Sequence, residues 1–418
     1  MAAPPHHAAS LTLVPEGELP LTASIADRVA VSTRARAGAG AIPWPLYAVV
    51  FASTSIVVGL IWDVSWHRTV GRDTFWTLAH VLEQLAAIVA GLTCGWLVLR
   101  TTFRGTPEDR ARSVRFWHFF QGPLGAWVCI WGTLMMITSA PFDNWWHNAY
   151  GLDVKIISPP HMILAWGMIG IQIGAMLLAL SAQNRASEED EKSYSMIHAY
   201  TAGILITMIA TVIQEDASVG NHMHAAQFYV ITAWTIPLFL VGLSRASRLS
   251  WPATTITAIY SAITLAMMWI LQLFAATPRL APIYNPVTHM VPPSFPLLII
   301  VPAVAVDLLM RKFGKGHDWK LSLVLGVTWV AVMLLVHWFW AEFLLSPSAR
   351  NFLIGADQWS YADRLGEWRY QYWNLDRDAA RRWSPLLFAK GIGFAMILGI
   401  VASRISLFLG NGMSRVRR

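Results

Sequence analysis

Two short segments of this chain place aspartate and histidine at spacings that suit a metal ion. In the first segment, Asp63 and His67 are four residues apart, and His80 follows thirteen residues later. Residues four apart share one face of a helix, so the carboxylate and the first imidazole can converge. The second imidazole stands at the head of the next apolar run and can lean over the same point. One carboxylate and two imidazoles leave coordination positions open, and this donor set suits copper, iron or zinc.

The same landmarks recur about 80 residues later in the chain. Asp143 and His147 repeat the first pair, and His161 repeats the second histidine one residue late. The other shared landmarks are Gly71 and Asp73 in the first copy, and Gly151 and Asp153 in the second. Each copy joins one apolar run to the next. The sequence therefore predicts an internal repeat of helical hairpins with a metal site in each connector.

Further polar residues are candidates for supporting roles or for additional ligands. Asp73 and Asp153 are expected to hold an imidazole N–H rather than the ion itself. Glu83 lies one helical turn deeper than His80. The remaining candidates are histidines of the later loops and runs, namely His222, His224, His289 and His337.

A structural use of the same residues is the alternative interpretation. Aspartate, histidine and tryptophan often hold helix ends at the membrane surface, and this chain has 22 tryptophans, several of them beside the two motifs. Under this alternative, each motif is a hydrogen-bonded clasp between helix ends and binds no metal.

The composition predicts the elements that must position these residues. Hydrophobic residues make up 55% of the 418 residues and charged residues 13%, which is too few charges for a soluble surface. A bilayer-spanning helix needs about 20 mostly apolar residues, and ten runs meet or approach that length. The ten runs are 43–62, 77–99, 116–138, 160–182, 197–214, 225–244, 253–275, 293–310, 320–345 and 385–409. They are too long and too uniformly apolar for barrel strands, so the predicted fold is an all-α polytopic membrane bundle of about ten transmembrane helices.

Lysine and arginine cluster in alternate loops, which predicts the orientation. Because basic loops face the cytoplasm, both termini should be cytoplasmic and the histidine-rich loops should lie on the outer side of a bacterial-type inner membrane. The predicted divisions are a flexible cytoplasmic tail (1–42), a nine-span domain (43–345), an outer interfacial loop or helix (346–384), and a last span with a basic tail (385–418). The net charge of +7 does not indicate nucleic acid, because most basic residues lie in short loops between apolar runs.

The first segment, WDVSWHRTVGRDTFWTLAH, resembles the copper-site segment in the C subunit of the particulate methane and ammonia monooxygenases. That family's pattern is D-x3-H-x12-H, and Asp63, His67 and His80 are similar to it in identity and spacing. The matching flanking positions are Trp66, Arg72, Asp73, Thr74 and Thr77. The resemblance covers about 20 residues of 418. It departs at the family's proline before the last histidine, which is missing before His80 but present before His161.

The resemblance implies copper as the cofactor, oxidation of a small apolar substrate with O₂, and association with other membrane subunits as well as with the lipid bilayer. A second class of function stays open, namely a non-catalytic membrane subunit of a larger complex, or a protein that handles a metal or solute. The sequence contains no P-loop, dinucleotide fingerprint, nucleophile elbow or CxxCH haem site.

Overall fold

The computed structural model of the protein is almost entirely helical. It describes residues 42–71, 73–74, 76–151, 158–214, 223–279, 286–358 and 384–418. In chain order, the helices are α1 (Trp44–Thr69), α2 (Leu78–Arg104), α3 (Pro107–Ala111), α4 (Leu124–Tyr150), α5 (Pro159–Gln183), α6 (Glu191–Val212), α7 (Ala226–Ala246), α8 (Pro252–Leu271), α9 (Ile300–Phe313), α10 (Asp318–Leu344) and α11 (Pro385–Met413). The predicted all-α polytopic bundle is thereby confirmed.

Nine helices of the described residues, all except α3 and α9, are long and apolar enough to cross a membrane. Large apolar side chains such as Leu92, Phe339 and Phe408 are exposed on their outward faces. Such surfaces suit hydrocarbon rather than water, so the chain is an integral membrane protein in contact with lipid.

Only the later part of the eighth predicted run, 293–310, is α-helical in the structure. Residues 286–296 are not helical, a single 3-10 turn covers Leu297–Ile299, and α9 has only 14 residues. At about 1.5 Å per residue, α9 extends about 21 Å, less than the bilayer core of about 30 Å. The cause lies in Pro292, Pro293 and Pro296, because proline lacks a backbone N–H and disfavours a helical residue before it.

Small residues let the helices of the second hairpin pack backbone to backbone. A Cβ atom added at Gly132 of α4 would lie 2.7 Å from the carbonyl oxygen of Gly167 in α5, and Gly125 approaches Gly174 in the same way. Gly242 of α7 and Gly410 of α11 repeat this contact in the second half of the chain. Close approach through small residues is a common basis of helix association in membranes.

A short β-hairpin and two 3-10 turns complete the described chain. Strands β1 (Val114–Phe116) and β2 (Phe120–Gly122) form an antiparallel hairpin between α3 and α4. After α10, the 3-10 turns Pro347–Ala349 and Phe352–Ile354 lie in the predicted outer segment 346–384, of which 359–383 falls outside the described residues. The predicted tail also falls outside them, except for Ile42.

Candidate metal centres

The first centre forms where the end of α1 meets the start of α2. Asp63 and His67 are one turn apart near the end of α1, and His80 is the third residue of α2. Gly71 ends the first helix with a φ of 79°, a left-handed conformation that glycine adopts readily. The connector then turns back at Thr74, whose backbone N–H donates to the Thr77 hydroxyl at 2.9 Å.

Four side chains converge at this point. His80 Nε2 lies 3.1 Å from Asp63 Oδ1 and 3.3 Å from Asp73 Oδ2. His67 Nε2 lies 3.3 Å from Asp73 Oδ2 and 3.8 Å from Asp63 Oδ2. One potential ligand atom from each of the four residues lies within 4.8 Å of all the others. The structure therefore brings together the three residues of the predicted first site and adds a fourth.

The spacing of these atoms resembles that of ligands around one ion. A tetrahedral ion with bonds of about 2.0–2.1 Å to nitrogen and oxygen keeps its ligand atoms about 3.3 Å apart. Three of the four nitrogen–oxygen separations lie between 3.1 and 3.3 Å. The fourth separation, from His67 Nε2 to Asp63 Oδ2, is 3.8 Å, and the side chain of His67 is half exposed.

The hydrogen bond made by Nδ1 fixes the tautomer of His80. His80 Nδ1 lies 3.0 Å from the carbonyl oxygen of Thr74, which can only accept a hydrogen bond, so Nδ1 carries the proton. In the neutral ring, Nε2 then presents a lone pair to the carboxylates of Asp63 and Asp73. Among the described residues, the buried Asp63 Oδ1 has no hydrogen-bond partner. Lone pairs that face one another require a cation between them, either a proton or a metal ion.

Asp73 was expected to hold an imidazole N–H from outside the ligand set. Its carboxylate oxygen lies 3.3 Å from Nε2 of both His67 and His80, so Asp73 contacts both imidazoles and is also one of the four clustered residues. The hydrogen bond with His67 holds the pKa of Asp73 below its ordinary value. Asp73 therefore remains an anion across the physiological pH range.

The second centre repeats this arrangement between α4 and α5. His147 Nε2 and His161 Nε2 each lie 3.4 Å from Asp143 Oδ1, a buried oxygen without a hydrogen-bond partner among the described residues. His147 Nδ1 lies 3.0 Å from the Gly151 carbonyl oxygen, so its Nε2 also presents a lone pair to the carboxylate. Asp153 lies outside the described residues.

The two connectors share their register as well as their residue types. Like His80 in α2, His161 is the third residue of α5, and like Gly71, Gly151 has a positive φ, of 88°. Both helices begin just before their histidine, although α5 starts at Pro159, where a missing N–H is harmless. The repeat seen in the sequence thus corresponds to two similar local structures.

Neighbouring segments hold the end of α1 in place, and sequence reasoning did not identify these contacts. The Ser65 hydroxyl donates to the Val291 carbonyl at 2.7 Å, and the Val291 N–H donates to the Thr69 hydroxyl at 2.8 Å. Arg68 donates to the Pro292 carbonyl at 3.0 Å. The non-helical stretch before α9 therefore lies against the helix that carries Asp63 and His67.

Glu83, which the sequence analysis named as a candidate for a supporting role, lies in α2 one turn deeper than His80 and is only 2% exposed. It is not one of the four clustered residues. Its Oε1 has no hydrogen-bond partner among the described residues. Glu83 is thus a buried carboxyl group beside, rather than within, the first centre.

The other candidate histidines lie away from both centres. His337 of α10 is buried and stacks on Phe228, with ring centroids 3.6 Å apart and an angle of 9° between the rings. His224 is also buried, and its Nε2 lies 3.2 Å from Glu342 Oε1. The metal-compatible groups of three or more ligands among the described residues include neither histidine.

His289 contacts the segment that follows α10. Its Nε2 lies 3.1 Å from Asp357 Oδ2, and the Gln358 amide contacts the same ring. These contacts hold the connector before α9 against residues 357–358 and place His289 in neither centre. His222 lies outside the described residues.

Comparison of the chain with protein-family models, with curated proteins and with solved structures finds no match.

Proposed function

We propose that this integral membrane protein binds copper at the helix ends that carry Asp63, His67, Asp73 and His80. The observation that carries the proposal is the set of histidine nitrogens and carboxylate oxygens that face one another at ligand-like separations. Asp143, His147 and His161 form a second, related site. A site made of a carboxylate and two imidazoles can also hold zinc or iron. Spectroscopy is therefore needed to identify the metal as copper.

The proposed activity is oxidation of a small apolar substrate with O₂, either by this chain or by a complex of which it is the copper-bearing subunit. The motif at 62–80, which resembles the copper segment of the particulate monooxygenases, supports this activity. The partial exposure of His67 supports access to the metal from outside the bundle. The exposed apolar faces of the helices suit a substrate that arrives from lipid.

The proposed orientation puts both centres on the outer side of the membrane. The arginines of the 100–115 loop and those after α11 lie at the opposite ends of the helices from the two clusters. Basic residues concentrate on the cytoplasmic side of inner-membrane proteins. Metal would therefore load from the outer compartment.

A non-catalytic membrane subunit is the second candidate function. It is favoured by the fact that each cluster links the end of one helix to the start of the next, as Asp63 does with His80. A protonated histidine could replace the metal ion in such a clasp. This candidate predicts that the purified protein holds no stoichiometric metal.

Purification in mild detergent, followed by element analysis and electron paramagnetic resonance, distinguishes the two candidates. We expect bound copper in the natural protein, with nitrogen hyperfine structure from imidazole. His67→Ala should lose most of the copper of the first site. His118→Ala, which changes a histidine in the β1–β2 turn, is the matched control and should keep it. Absence of metal from the natural protein would favour the clasp.

A further inference from the structure

A buried carboxyl group lies one helical turn below the first centre. Glu83 follows His80 by three residues on α2, so the two side chains share a face of the helix. Among the described residues, the titratable groups whose charge acts on Glu83 are Asp63 and His80, both members of the cluster. Its Oε1, which has no hydrogen-bond partner among the described residues, and its near-complete burial distinguish it from an ordinary interfacial acid.

The facing helix leaves room for this side chain. Gly59 lies one turn before Asp63 on α1, and a Cβ atom added there would be 2.6 Å from Glu83 Cγ. Any larger residue at position 59 would collide with the glutamate. Glycine at this position therefore lets Glu83 occupy the layer between α1 and α2 just beneath the ligands.

A buried carboxylate is unfavourable unless a positive charge lies nearby. Among the described residues, no lysine or arginine is one of the groups whose charge acts on Glu83, which are the acidic Asp63 and the imidazole of His80. A divalent cation among Asp63, His67, Asp73 and His80 would supply the missing positive charge. An ion in the first centre would therefore stabilise the ionised form of Glu83, which burial alone disfavours.

The second centre lacks this feature. His161 corresponds to His80, so the residue three positions later, Leu164, corresponds to Glu83. Leu164 is partly buried and packs against the hydrophobic core. The two hairpins therefore differ in charge at one equivalent position, which offers an internal comparison.

We propose that Glu83 is the buried counter-charge of the first centre and makes that centre bind a divalent cation more tightly than the second does. The inference rests on the proposed function, because it requires a cation at the first cluster. Glu83 acts as a positioning charge through space and does not touch the ion. At about one helical turn from the ion, in a medium that screens less than water, a full negative charge should strengthen binding at least tenfold.

Zinc affinity measured by competition with a chromophoric chelator tests the proposal. Measurements use the full-length protein in detergent, with His161→Ala removing the second site. In that background, Glu83→Gln keeps the shape of the side chain but removes its charge, and it should weaken zinc binding at least tenfold. Glu83→Leu, which copies the second site, should weaken it by a similar factor. Glu191→Gln, at the far end of the bundle, should have no effect.

A gain of affinity provides the converse test. In a His80→Ala background, which leaves only the second site, Leu164→Glu should tighten zinc binding.

With copper in the first site, Glu83→Gln should also move the reduction potential to a more positive value, because the lost negative charge favoured the more highly charged ion. A purely structural glutamate would change stability without moving this potential.

The outcomes separate this inference from the proposed function. Unchanged zinc affinity in Glu83→Gln, with normal binding in the His161→Ala parent, would overturn the counter-charge and leave the metal site standing. Absence of zinc binding in both single-site parents would overturn both proposals together. If Glu83→Leu fails to fold, the isosteric Glu83→Gln decides the question alone.

Discussion

His80 Nε2 lies 3.1 Å from Asp63 Oδ1, which joins the start of α2 to the end of α1. The Thr74 carbonyl fixes the other nitrogen of the ring as the donor. The contact therefore pairs a nitrogen lone pair with a carboxylate oxygen unless a cation lies between them. A metal ion satisfies this geometry without charging the imidazole.

Acidification should release the metal. Metal binding requires the ligating nitrogen of each imidazole to be free of a proton, so protons compete with the metal. Asp73 does not set the midpoint, because its hydrogen bond with His67 keeps its pKa below the ordinary value and its carboxylate charged. Affinity should therefore decrease as the pH falls, because protons and the metal compete for the same imidazole nitrogens.

Copper retained after dialysis at a series of pH values measures this dependence. Retention that stays constant down to pH 4, or loss on raising the pH to 8, would be inconsistent with histidine ligands.

Cysteine accessibility should report the proposed orientation. Asn148→Cys lies beside the second centre, whereas Ala186→Cys lies between α5 and α6 at the opposite ends of the helices. The natural cysteines, Cys94 and Cys129, are buried and should give little background. In intact cells, a membrane-impermeant maleimide should label position 148 but not position 186. Labelling in the reverse pattern would place both centres on the cytoplasmic side.

The glycine contact between α4 and α5 should matter for stability. In Gly132→Ala, the new methyl group would meet the backbone of Gly167 and Ile171 at 2.7–2.8 Å, and backbone atoms cannot rotate away. We expect a loss of about 1–3 kcal/mol in the free energy of unfolding. Thermal unfolding in detergent measures it. The control is Gly95→Ala, where the added Cβ meets no atom within 4 Å and a small gain from helix propensity is expected.

Asp307 should act as a helix cap supplied by a neighbouring helix. It is 1% exposed in α9, and its carboxylate accepts bonds from the Ala253 and Thr254 backbone N–H groups at 2.9 and 2.8 Å and from the Thr254 hydroxyl at 2.7 Å. Asp307→Ala leaves these buried donors at the start of α8 unpaired, which should cost about 2–4 kcal/mol.

The melting temperature of Asp307→Ala measures that loss. Asp109→Ala removes a comparable cap from the exposed helix α3 and serves as the control. An equal effect in both variants would contradict the role of burial.

Local geometry explains why much of the first centre could be predicted from the sequence. The i, i+4 relation of Asp63 and His67 depends only on α1 being helical. The place of His80 depends on a helix that starts just before it, which the apolar run indicates. Repetition in the second copy, with His161 at the same helical position, strengthens the same inference.

The remaining features depend on contacts between distant segments. Asp73 enters the cluster because the connector turns back after Gly71, and spacing alone does not reveal that path. His337 stacks on Phe228 of another helix. The sequence shows a histidine that could be a ligand, but it does not show that the folded chain uses this ring for packing. Hydropathy also concealed the non-helical start of the eighth run, because Pro293 and Pro296 count as apolar yet prevent a helix.

The most direct test of the metal centres is the copper stoichiometry of four proteins: the natural chain, His80→Ala, His161→Ala and the double variant. Each is loaded with copper, dialysed and measured by element analysis against protein concentration. We predict two copper ions per chain in the natural protein, one in each single variant and none in the double variant. Equal copper in all four proteins, or none in the natural chain, would contradict a metal centre at either pair of helix ends.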